Sequence, residues 1–203
     1  MRTVAIAILT VALLAGTTGS TSAQPKMGLS GAVDVLLPIG DWGNAVGVGF
    51  GGDVQFQYNF TPNVSAGVTT GYFTWGGKSE GGVDLPGYKG LPLRALIKYY
   101  FMPPRKQGIR AYASGEAGLF FGSSGDVTVS TGVSIPGIPS SYTIEGGSST
   151  DFNYAIAVGA EYPVSADGRT SVTGNVRWDA IATSGTSANN IGFRIGVLYG
   201  FGN

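Results

Sequence analysis

The sequence predicts an all-β chain, folded as an eight-stranded antiparallel up-and-down transmembrane β-barrel, on three observations. In the stretch 46–60, apolar residues alternate with polar or small ones, which gives a strand one apolar and one polar face. Its length of about 15 residues exceeds the roughly 9–11 that a strand needs to cross a bilayer. Seven further stretches repeat this alternation. Short turns and longer loops alternate between them, as an up-and-down barrel requires.

The first four predicted strands are separated by Pro, Gly and Asn residues, which favour turns. Strand 28–37 alternates Leu and Val with Ser, Ala and Asp. A loop rich in Gly and Asn leads to strand 46–60, and the turn 61–63 leads to strand 64–75. After a Gly-rich loop, strand 91–101 alternates aliphatic and aromatic residues with Arg, Leu, Lys and Tyr.

The last four predicted strands follow the same rule. Strand 109–121 has Ala-rich outer positions, and strand 152–162 alternates aromatic and aliphatic residues with Asn, Ala, Gly and Glu. The short turn 165–169 leads to strand 170–181, and a loop of Ser, Thr, Gly and Asn leads to strand 191–201. Bacterial outer-membrane barrels have an even strand number, short periplasmic turns and long external loops. We therefore expect both termini in the periplasm.

Residues 1–23 have the organisation of a secretory signal peptide. Arg2 supplies the positive charge, residues 4–15 the apolar core and residues 21–23 a small-residue cleavage site. The apolar core of about 12 residues is shorter than the roughly 20 that a helix needs to span a bilayer. We therefore expect the signal peptide to be removed, leaving residues 24–203 as a single exported barrel domain.

The longest connection, 122–150, is the part where binding is expected first, because binding residues concentrate on loops held by a rigid scaffold. Segments 126–134 and 140–145 flank the turn dipeptide at 136–137, which predicts a hairpin that continues two strands beyond the membrane. Such a hairpin would offer an edge to an extracellular partner. The alternative is a mobile loop rich in Ser and Gly.

Outward aromatic residues close every strand that is predicted to run toward the periplasm. Aromatic rings of this kind are expected at the boundary between membrane and water. The predicted interface residues are Tyr58, Phe60, Tyr99, Phe101, Tyr162, Tyr199 and Phe201. The tryptophans fall near the opposite end of the strands, at Trp42, Trp75 and Trp178.

Charged residues on the polar faces of the strands predict an ionic network in the lumen. The predicted members are Asp34, Asp53, Arg94, Lys98, Arg110, Glu116, Glu161, Arg177, Asp179 and Arg194. The interior of an eight-stranded barrel is just wide enough for its own side chains, and unpaired charges there are costly. A self-paired, salt-bridged plug is therefore the first interpretation, and a gated polar pathway is the second.

Two glycine-rich matches do not predict a nucleotide site. Residues 47–52 fit G-x-G-x-x-G, but a strand continues through them where a dinucleotide site needs a helix. Residues 76–79 resemble the end of a phosphate loop, but position 72 is Tyr and no helix follows. The chain contains no His and no Cys, so common catalytic bases and nucleophile pairs are missing. We expect no enzyme activity, no cofactor and no metal, and a net charge of zero predicts no nucleic-acid partner.

At this point the chain resembles the family of small bacterial outer-membrane β-barrel domains that includes the membrane domain of outer-membrane protein A. The resemblance covers nearly all of residues 24–203 and rests on the strand pattern and the final strand GFRIGVLYGF. It implies a location in the outer membrane of a Gram-negative bacterium, with the lipid bilayer as the main partner. The chain departs from the family's usual terminal aromatic residue, because Gly202 and Asn203 follow Phe201.

Three functions remain open from the sequence. The first is a monomeric, integral outer-membrane protein with a structural or surface-contact role through its external loops. The second is a porin-like narrow channel, or a conduit for small ligands. The third, a soluble lipocalin-type barrel, needs an apolar interior and a polar exterior, which is the reverse of the pattern in 46–60.

Overall fold

The computed structural model describes residues 25–80, 83–103, 108–130, 141–183, 185 and 187–202. The predicted signal peptide and the predicted turn at 136–137 lie outside these described residues. Twelve strands and one short helix are described: β1 Met27–Ile39, α1 Asp41–Ala45, β2 Val46–Asn59, β3 Val64–Gly77, β4 Ser79–Glu80, β5 Val83–Asp84, β6 Tyr88–Tyr100, β7 Arg110–Ser124, β8 Val127–Ser130, β9 Ser141–Ile144, β10 Ser148–Pro163, β11 Thr170–Ala182 and β12 Ser187–Phe201.

Eight long strands form a closed antiparallel barrel, in the order β1-β12-β11-β10-β7-β6-β3-β2. The predicted fold class is therefore confirmed. Pairing of β1 with β12 closes the barrel and sets Asp34 directly opposite Arg194. The backbone N–H of Lys26 donates to the carbonyl of Gly202 at 3.2 Å, so both ends of the described chain lie together. We call this end of the barrel the termini end and the opposite one the loop end.

Large apolar side chains cover the outside of the barrel, while polar and charged ones fill the inside. Val54, for example, is 51% exposed, whereas its neighbour Asp53 is 4% exposed. An apolar exterior is the polarity of a barrel in lipid and the reverse of a lipocalin. No helix among the described residues is long and apolar enough to cross a membrane.

A β-bulge at the start of β2 changes which side chains face inward. The register with β3 shifts between Val46 and Gly49, so that three residue steps on β2 match two on β3. An extra residue reverses the alternation of faces. Val46 is consequently buried, at 4% exposure, while Val48 faces outward. The strict alternation over 46–60 is thus wrong at its first residue.

Several strands extend farther toward the loop end than the alternation predicts. β7 reaches Ser124 and β10 begins at Ser148, with Ser123 opposite Ser148. β8 and β9 then pair as a hairpin, as expected for 122–150. They do not continue the barrel strands, however. They belong to a separate four-stranded sheet, in the order β4-β5-β8-β9, which also recruits the predicted loop between β3 and β6.

Candidate functional site

The lumen is the candidate site, because the inward face of every barrel strand contributes polar or charged side chains to it. The structure places nine of the ten predicted lumen residues among buried side chains. We call seven of them the central ion cluster: Asp34, Asp53, Arg94, Glu116, Arg177, Asp179 and Arg194. Four carboxylates therefore meet three guanidinium groups in the middle of the barrel.

Arg194 on β12 is the most connected member of the central ion cluster. Its Nε lies 3.2 Å from Oδ1 of Asp34, its direct cross-strand partner on β1. Its Nη1 lies 3.3 Å from Oε1 of Glu116 on β7, and its Nη2 contacts Oδ2 of Asp53 on β2. One guanidinium therefore joins carboxylates from three other strands. Its planar fork of donors suits such multiple contacts.

The other two arginines connect strands that are not neighbours in the barrel. Arg94 on β6 bonds Glu116 at 3.1 Å and reaches Asp179 on β11 at 2.6 Å. Arg177, also on β11, lies 2.6 Å from Asp179 and 3.5 Å from Asp34. Asn153 donates to Asp179 at 3.2 Å. The Arg94–Asp179 pair therefore crosses the lumen, and the Arg177–Asp34 pair bridges β11 and β1 past β12. The remaining contacts join neighbouring strands or residues of one strand.

A second network lies nearer the termini end. The Lys98 ammonium donates to Glu161 at 3.1 Å and to the side-chain oxygens of Gln55 and Gln57 at 3.2 and 3.1 Å. The hydroxyl of Tyr100 also donates to Glu161, at 2.8 Å. Lys98 and Glu161, both members of the predicted lumen set, are thus paired with each other. The glutamines and Tyr100 were not predicted as members, although Gln55 and Gln57 alternate in phase with Asp53.

Arg110 differs from the expectation of carboxylate pairing. Its guanidinium donates to the backbone carbonyls of Met102 and Pro62, at the termini end. Its Cζ also lies 3.4 Å from the centroid of the Tyr100 ring. Its direct cross-strand partner on β10 is Glu161, but that carboxylate accepts from Lys98 and Tyr100. Arg110, the first residue of β7, bonds the turn carbonyls at the rim instead.

An apolar plug closes the lumen toward the loop end. We define the apolar plug as Leu36, Val46, Phe73, Trp75, Phe120, Ile181 and Ala188, against which Trp42, Ala45 and Tyr88 pack. Trp42 comes from α1 and meets Trp75 edge-on, with ring centroids 6.1 Å apart. The indole N–H of Trp75 donates to Asn190 at 3.1 Å. A helical turn at the mouth therefore completes the plug.

Glycines on the inward face make room for these large rings. A Cβ on Gly49 would lie 2.5 Å from Nε1 of Trp75, and one on Gly51 would overlap the ring of Phe73. Two glycines of the match at 47–52 thus serve interior packing. The three tryptophans all lie toward the loop end, but Trp75 is 2% exposed and belongs to the plug. Trp178 packs edge-on against Tyr154, with ring centroids 5.5 Å apart.

A small polar cavity of about 10 Å³ lies between the central ion cluster and the Lys98 network. Ser30, Gln55, Tyr112, Thr173 and Asn175 contribute to its lining. This volume has room for about one water molecule. The described residues contain no group of three or more acidic side chains arranged to hold a metal ion.

The predicted interface aromatics lie on the outer surface around the termini end. Tyr58 and Phe60 pack with ring centroids 5.0 Å apart, and Tyr99 and Phe101 with centroids 5.7 Å apart. Tyr162 is exposed, and Tyr199 stacks on the half-buried Phe201. We call these seven residues the aromatic belt.

Solved structures with the same architecture are small outer-membrane barrels. Neisserial surface protein A matches with a TM-score of 0.60 at 14% identity, covering 89% of this chain and 100% of the other. Ail, the attachment invasion locus protein of Yersinia pestis, matches at 0.55 and 11%, covering 88% and 99%. OprG of Pseudomonas aeruginosa matches at 0.52 and 13%, covering 89% and 98%. No family model and no curated protein matches the sequence.

At these identities the likeness shows the fold, which is that of eight-stranded outer-membrane barrels. The earlier resemblance is confirmed at that level.

Proposed function

We propose that the protein is a non-catalytic, non-conducting barrel of the Gram-negative outer membrane, which presents the sheet β4-β5-β8-β9 for contact outside the cell. The filled lumen carries this proposal. The apolar plug, the central ion cluster and the Lys98 network occupy successive levels between the loop end and the termini end. The cavity between the central ion cluster and the Lys98 network has room for about one water molecule, so it is too small to form a pathway for solutes.

Opening such a lumen would be costly at each level. A conducting path through the central ion cluster must break cross-lumen bonds such as Arg94–Asp179, at 2.6 Å. Removing one partner from a buried ion pair costs about 3–5 kcal/mol. A path through the apolar plug must also displace Trp75 from its contacts with Trp42 and Asn190. The same contacts that exclude ions would stiffen the barrel, which supports a scaffold role.

The external sheet supports the contact role. Tyr142 and Ile144 on β9 are 56% and 60% exposed and lie opposite Val129 and Val127 on β8. Alternation places these four side chains on one face, which is therefore apolar. The hairpin is attached firmly, because Ser124 N–H donates to the Gly147 carbonyl at 2.9 Å. Exposed apolar faces of this kind commonly mark interaction sites.

Planar-bilayer recordings test the non-conducting part of the proposal. The purified barrel, shown to be folded by heat-modifiable gel mobility, is expected to give no discrete current steps. As a control, Trp75→Ala removes the largest ring of the plug but leaves the central ion cluster intact, so this variant is also expected to remain silent. Regular current steps from the unmodified protein would favour the narrow channel instead.

Shortening the external hairpin tests the contact part. Residues 126–146 are replaced by a two-residue turn, which joins positions already held together by the Ser124–Gly147 hydrogen bond. The barrel is expected to stay inserted and heat-modifiable, while adhesion of expressing cells to protein-coated surfaces is lost. The matched variant Tyr142→Ser/Ile144→Ser keeps the hairpin length and is expected to lose adhesion too. Unchanged adhesion of the shortened protein would contradict the contact role.

A further inference from the structure

Carboxylates outnumber cations in the central ion cluster, although the lumen as a whole is balanced. Among the described residues, the cluster contains four carboxylates and three guanidinium groups. The other ionic groups of the predicted lumen set are Lys98 and Glu161, which pair at 3.1 Å, and Arg110, which bonds turn carbonyls at the rim. The excess cation thus lies outside the cluster. Because an uncompensated buried charge is costly, the cluster needs one further positive charge.

Two carboxylates of the cluster share one edge of the Arg194 guanidinium. Its Nε lies 3.2 Å from Oδ1 of Asp34, and its Nη2 contacts Oδ2 of Asp53. In a bidentate pair, two such parallel N–H donors hold both oxygens of a single carboxylate. Here each donor takes an oxygen from a different residue. The two carboxyl groups are therefore adjacent, within hydrogen-bond distance of each other.

Strand register and burial explain why these two groups are held together. Asp34 on β1 lies opposite Gly51 on β2, and Asp53 on β2 lies opposite Ala32 on β1, so the two aspartates are diagonal neighbours on the inward face. They are 2% and 4% exposed. The oxygens that Arg194 does not contact, Oδ2 of Asp34 and Oδ1 of Asp53, have no hydrogen-bond partner among the described residues. A proton between the two groups would supply the missing donor.

We propose that the Asp34–Asp53 pair is a proton-binding site, in which one carboxylic acid donates a hydrogen bond to the other, ionised carboxylate. Two carboxylates in contact in an enclosed site do not both ionise, and they hold one proton between them. The pair takes this proton from the solvent during folding. The central ion cluster then carries three negative and three positive charges. This inference does not depend on the proposed contact role of the external sheet.

The groups around the pair favour a proton over a metal ion. Nε of Arg194 and Nη1 of Arg177 lie 3.2 and 3.5 Å from Oδ1 of Asp34, so two guanidinium groups would repel a metal cation there. The cavity beside Arg194 has a volume of about 10 Å³, which has room for one water molecule but not for a hydrated ion. A proton adds the missing charge without needing further space.

The other two carboxylates of the cluster are better compensated than Asp53. Glu116 contacts Arg94 and Arg194 at 3.1 and 3.3 Å, and Asp179 lies 2.6 Å from both Arg94 and Arg177, whereas Asp53 contacts one guanidinium. The proton is therefore expected on the aspartate pair. The charged and titratable groups of the surrounding strands are Arg94, Lys98 and Tyr100 on β6, Arg110, Tyr112 and Glu116 on β7, Glu161 on β10, Arg177 and Asp179 on β11, and Arg194 on β12.

Infrared spectroscopy of the folded barrel tests this inference, because the C=O stretch of a protonated carboxyl group is separate from the bands of carboxylates. The barrel is refolded in heavy water at neutral pH, in a detergent without carbonyl groups. Carbon-13 labelling of the aspartate carboxyl groups then identifies the residue type. We expect a protonated-carboxyl band that shifts with the label. Absence of the band, or a band that the aspartate label leaves in place, would overturn the proposal.

Charge-removing variants assign the band to the pair. Asp34→Asn and Asp53→Asn each leave equal numbers of positive and negative charges in the cluster, so each is expected to abolish the band. The matched control Asp167→Asn changes a carboxyl group that is 60% exposed at the termini end, and it is expected to keep the band. A band that persists in both Asp34→Asn and Asp53→Asn would place the proton elsewhere and contradict the assignment.

Stability gives a second, independent measurement. The amide in Asp53→Asn has the shape of the neutral acid and also donates a hydrogen bond, so the urea midpoint of this variant in lipid vesicles is expected to stay close to that of the unmodified barrel. The matched variant Asp179→Asn neutralises a carboxylate held by two guanidinium groups at 2.6 Å, and its midpoint is expected to fall clearly. Equal losses in the two variants, or failure of Asp53→Asn alone to fold by heat-modifiable mobility, would show that Asp53 is needed as a charge and would overturn the proposal.

Discussion

Replacing Arg194 by Met removes the most connected cation of the central ion cluster while keeping a side chain of similar length. Three carboxylates lose a partner, but not equally. Asp34 keeps Arg177 at 3.5 Å, and Glu116 keeps Arg94 at 3.1 Å. Asp53 loses the only ion-pair partner that the described residues give it, while remaining 4% exposed. The variant therefore strands one buried carboxylate.

The expected loss in the free energy of unfolding is about 3–5 kcal/mol, since a buried charge is left uncompensated. The exposed pair Arg169–Asp167 supplies the control. Its atoms are 3.9 Å apart and its side chains 47% and 60% exposed, so Arg169→Met is expected to cost about 0–1 kcal/mol. Arg194→Met and Arg169→Met both remove a guanidinium group, but the first removes it from a buried site and the second from an exposed one.

Urea titration of the barrel in lipid vesicles, followed by tryptophan fluorescence and heat-modifiable mobility, measures both losses. The double variant Arg194→Met/Asp53→Asn removes the stranded charge along with the cation, so it is expected to recover part of the stability lost in Arg194→Met. If Arg194→Met costs no more than Arg169→Met, or if the Asn substitution recovers nothing, the assignment of Asp53 to Arg194 is wrong.

Other predictions concern the outer face, the interior glycines and a turn. Val54 faces outward near the middle of β2, so Val54→Arg should lower the free energy of unfolding in lipid by about 2–4 kcal/mol, whereas Val54→Leu should change it little. An unchanged free energy of unfolding in Val54→Arg would mean that the inner and outer faces are inverted. A Cβ on Gly118 would overlap the backbone of β6, whereas Gly31 has open space. Gly118→Ala should therefore cost about 1–3 kcal/mol by overpacking, and an unfolding midpoint equal to that of Gly31→Ala would refute this. Hydrogen bonds from the Ser165 hydroxyl and a backbone N–H hold the pKa of Asp167 below its usual value of 3.8. The ionised carboxylate of Asp167 therefore stabilises the turn above pH 3.8, and this stabilisation is lost as the pH falls through the lower pKa of the folded state. NMR titration of the Asp167 carboxyl is expected to show a lower pKa in the unmodified protein than in Ser165→Ala.

Sequence alternation was sufficient to predict the barrel because the period of two is a local property. A residue's face depends on its position in its own strand, so Asp53 could be placed inside and Val54 outside without any knowledge of neighbours. The even strand number and the turn lengths likewise predicted that the chain ends lie together. The charges of the lumen followed from the same argument.

Local alternation fails where the strand itself is irregular. The bulge at the start of β2 reverses the face of Val46, and nothing in the apolar pattern of that stretch marks the extra residue. The phase of strand 64–75 would have placed Trp75 with Phe73 on the inward face. The sequence analysis placed the tryptophans only by the end of the strand at which they lie, and therefore did not assign Trp75 to the interior. The inward-facing Gly49 and Gly51, which leave room for the rings of Trp75 and Phe73, could have indicated it.

The pairing of the lumen charges was beyond the sequence. Asp34 and Arg194 meet as direct cross-strand partners only because the last strand returns to the first. Arg94 and Asp179 meet across the lumen from strands that do not touch, 85 positions apart in the chain. Both contacts depend on how the strands are staggered when the sheet closes, which no single strand encodes.

The sequence by itself thus determined the eight barrel strands, their faces outside the bulge in β2, and the polarity of the barrel, because each follows from alternation within about ten residues. Only the tertiary structure decided which charges pair, why Arg110 stays at the rim, and how α1 and Trp75 close the mouth. It also decided that the external hairpin joins a sheet of its own, with the loop between β3 and β6. These outcomes depend on distances between segments far apart in the chain, and closure of the barrel sets those distances.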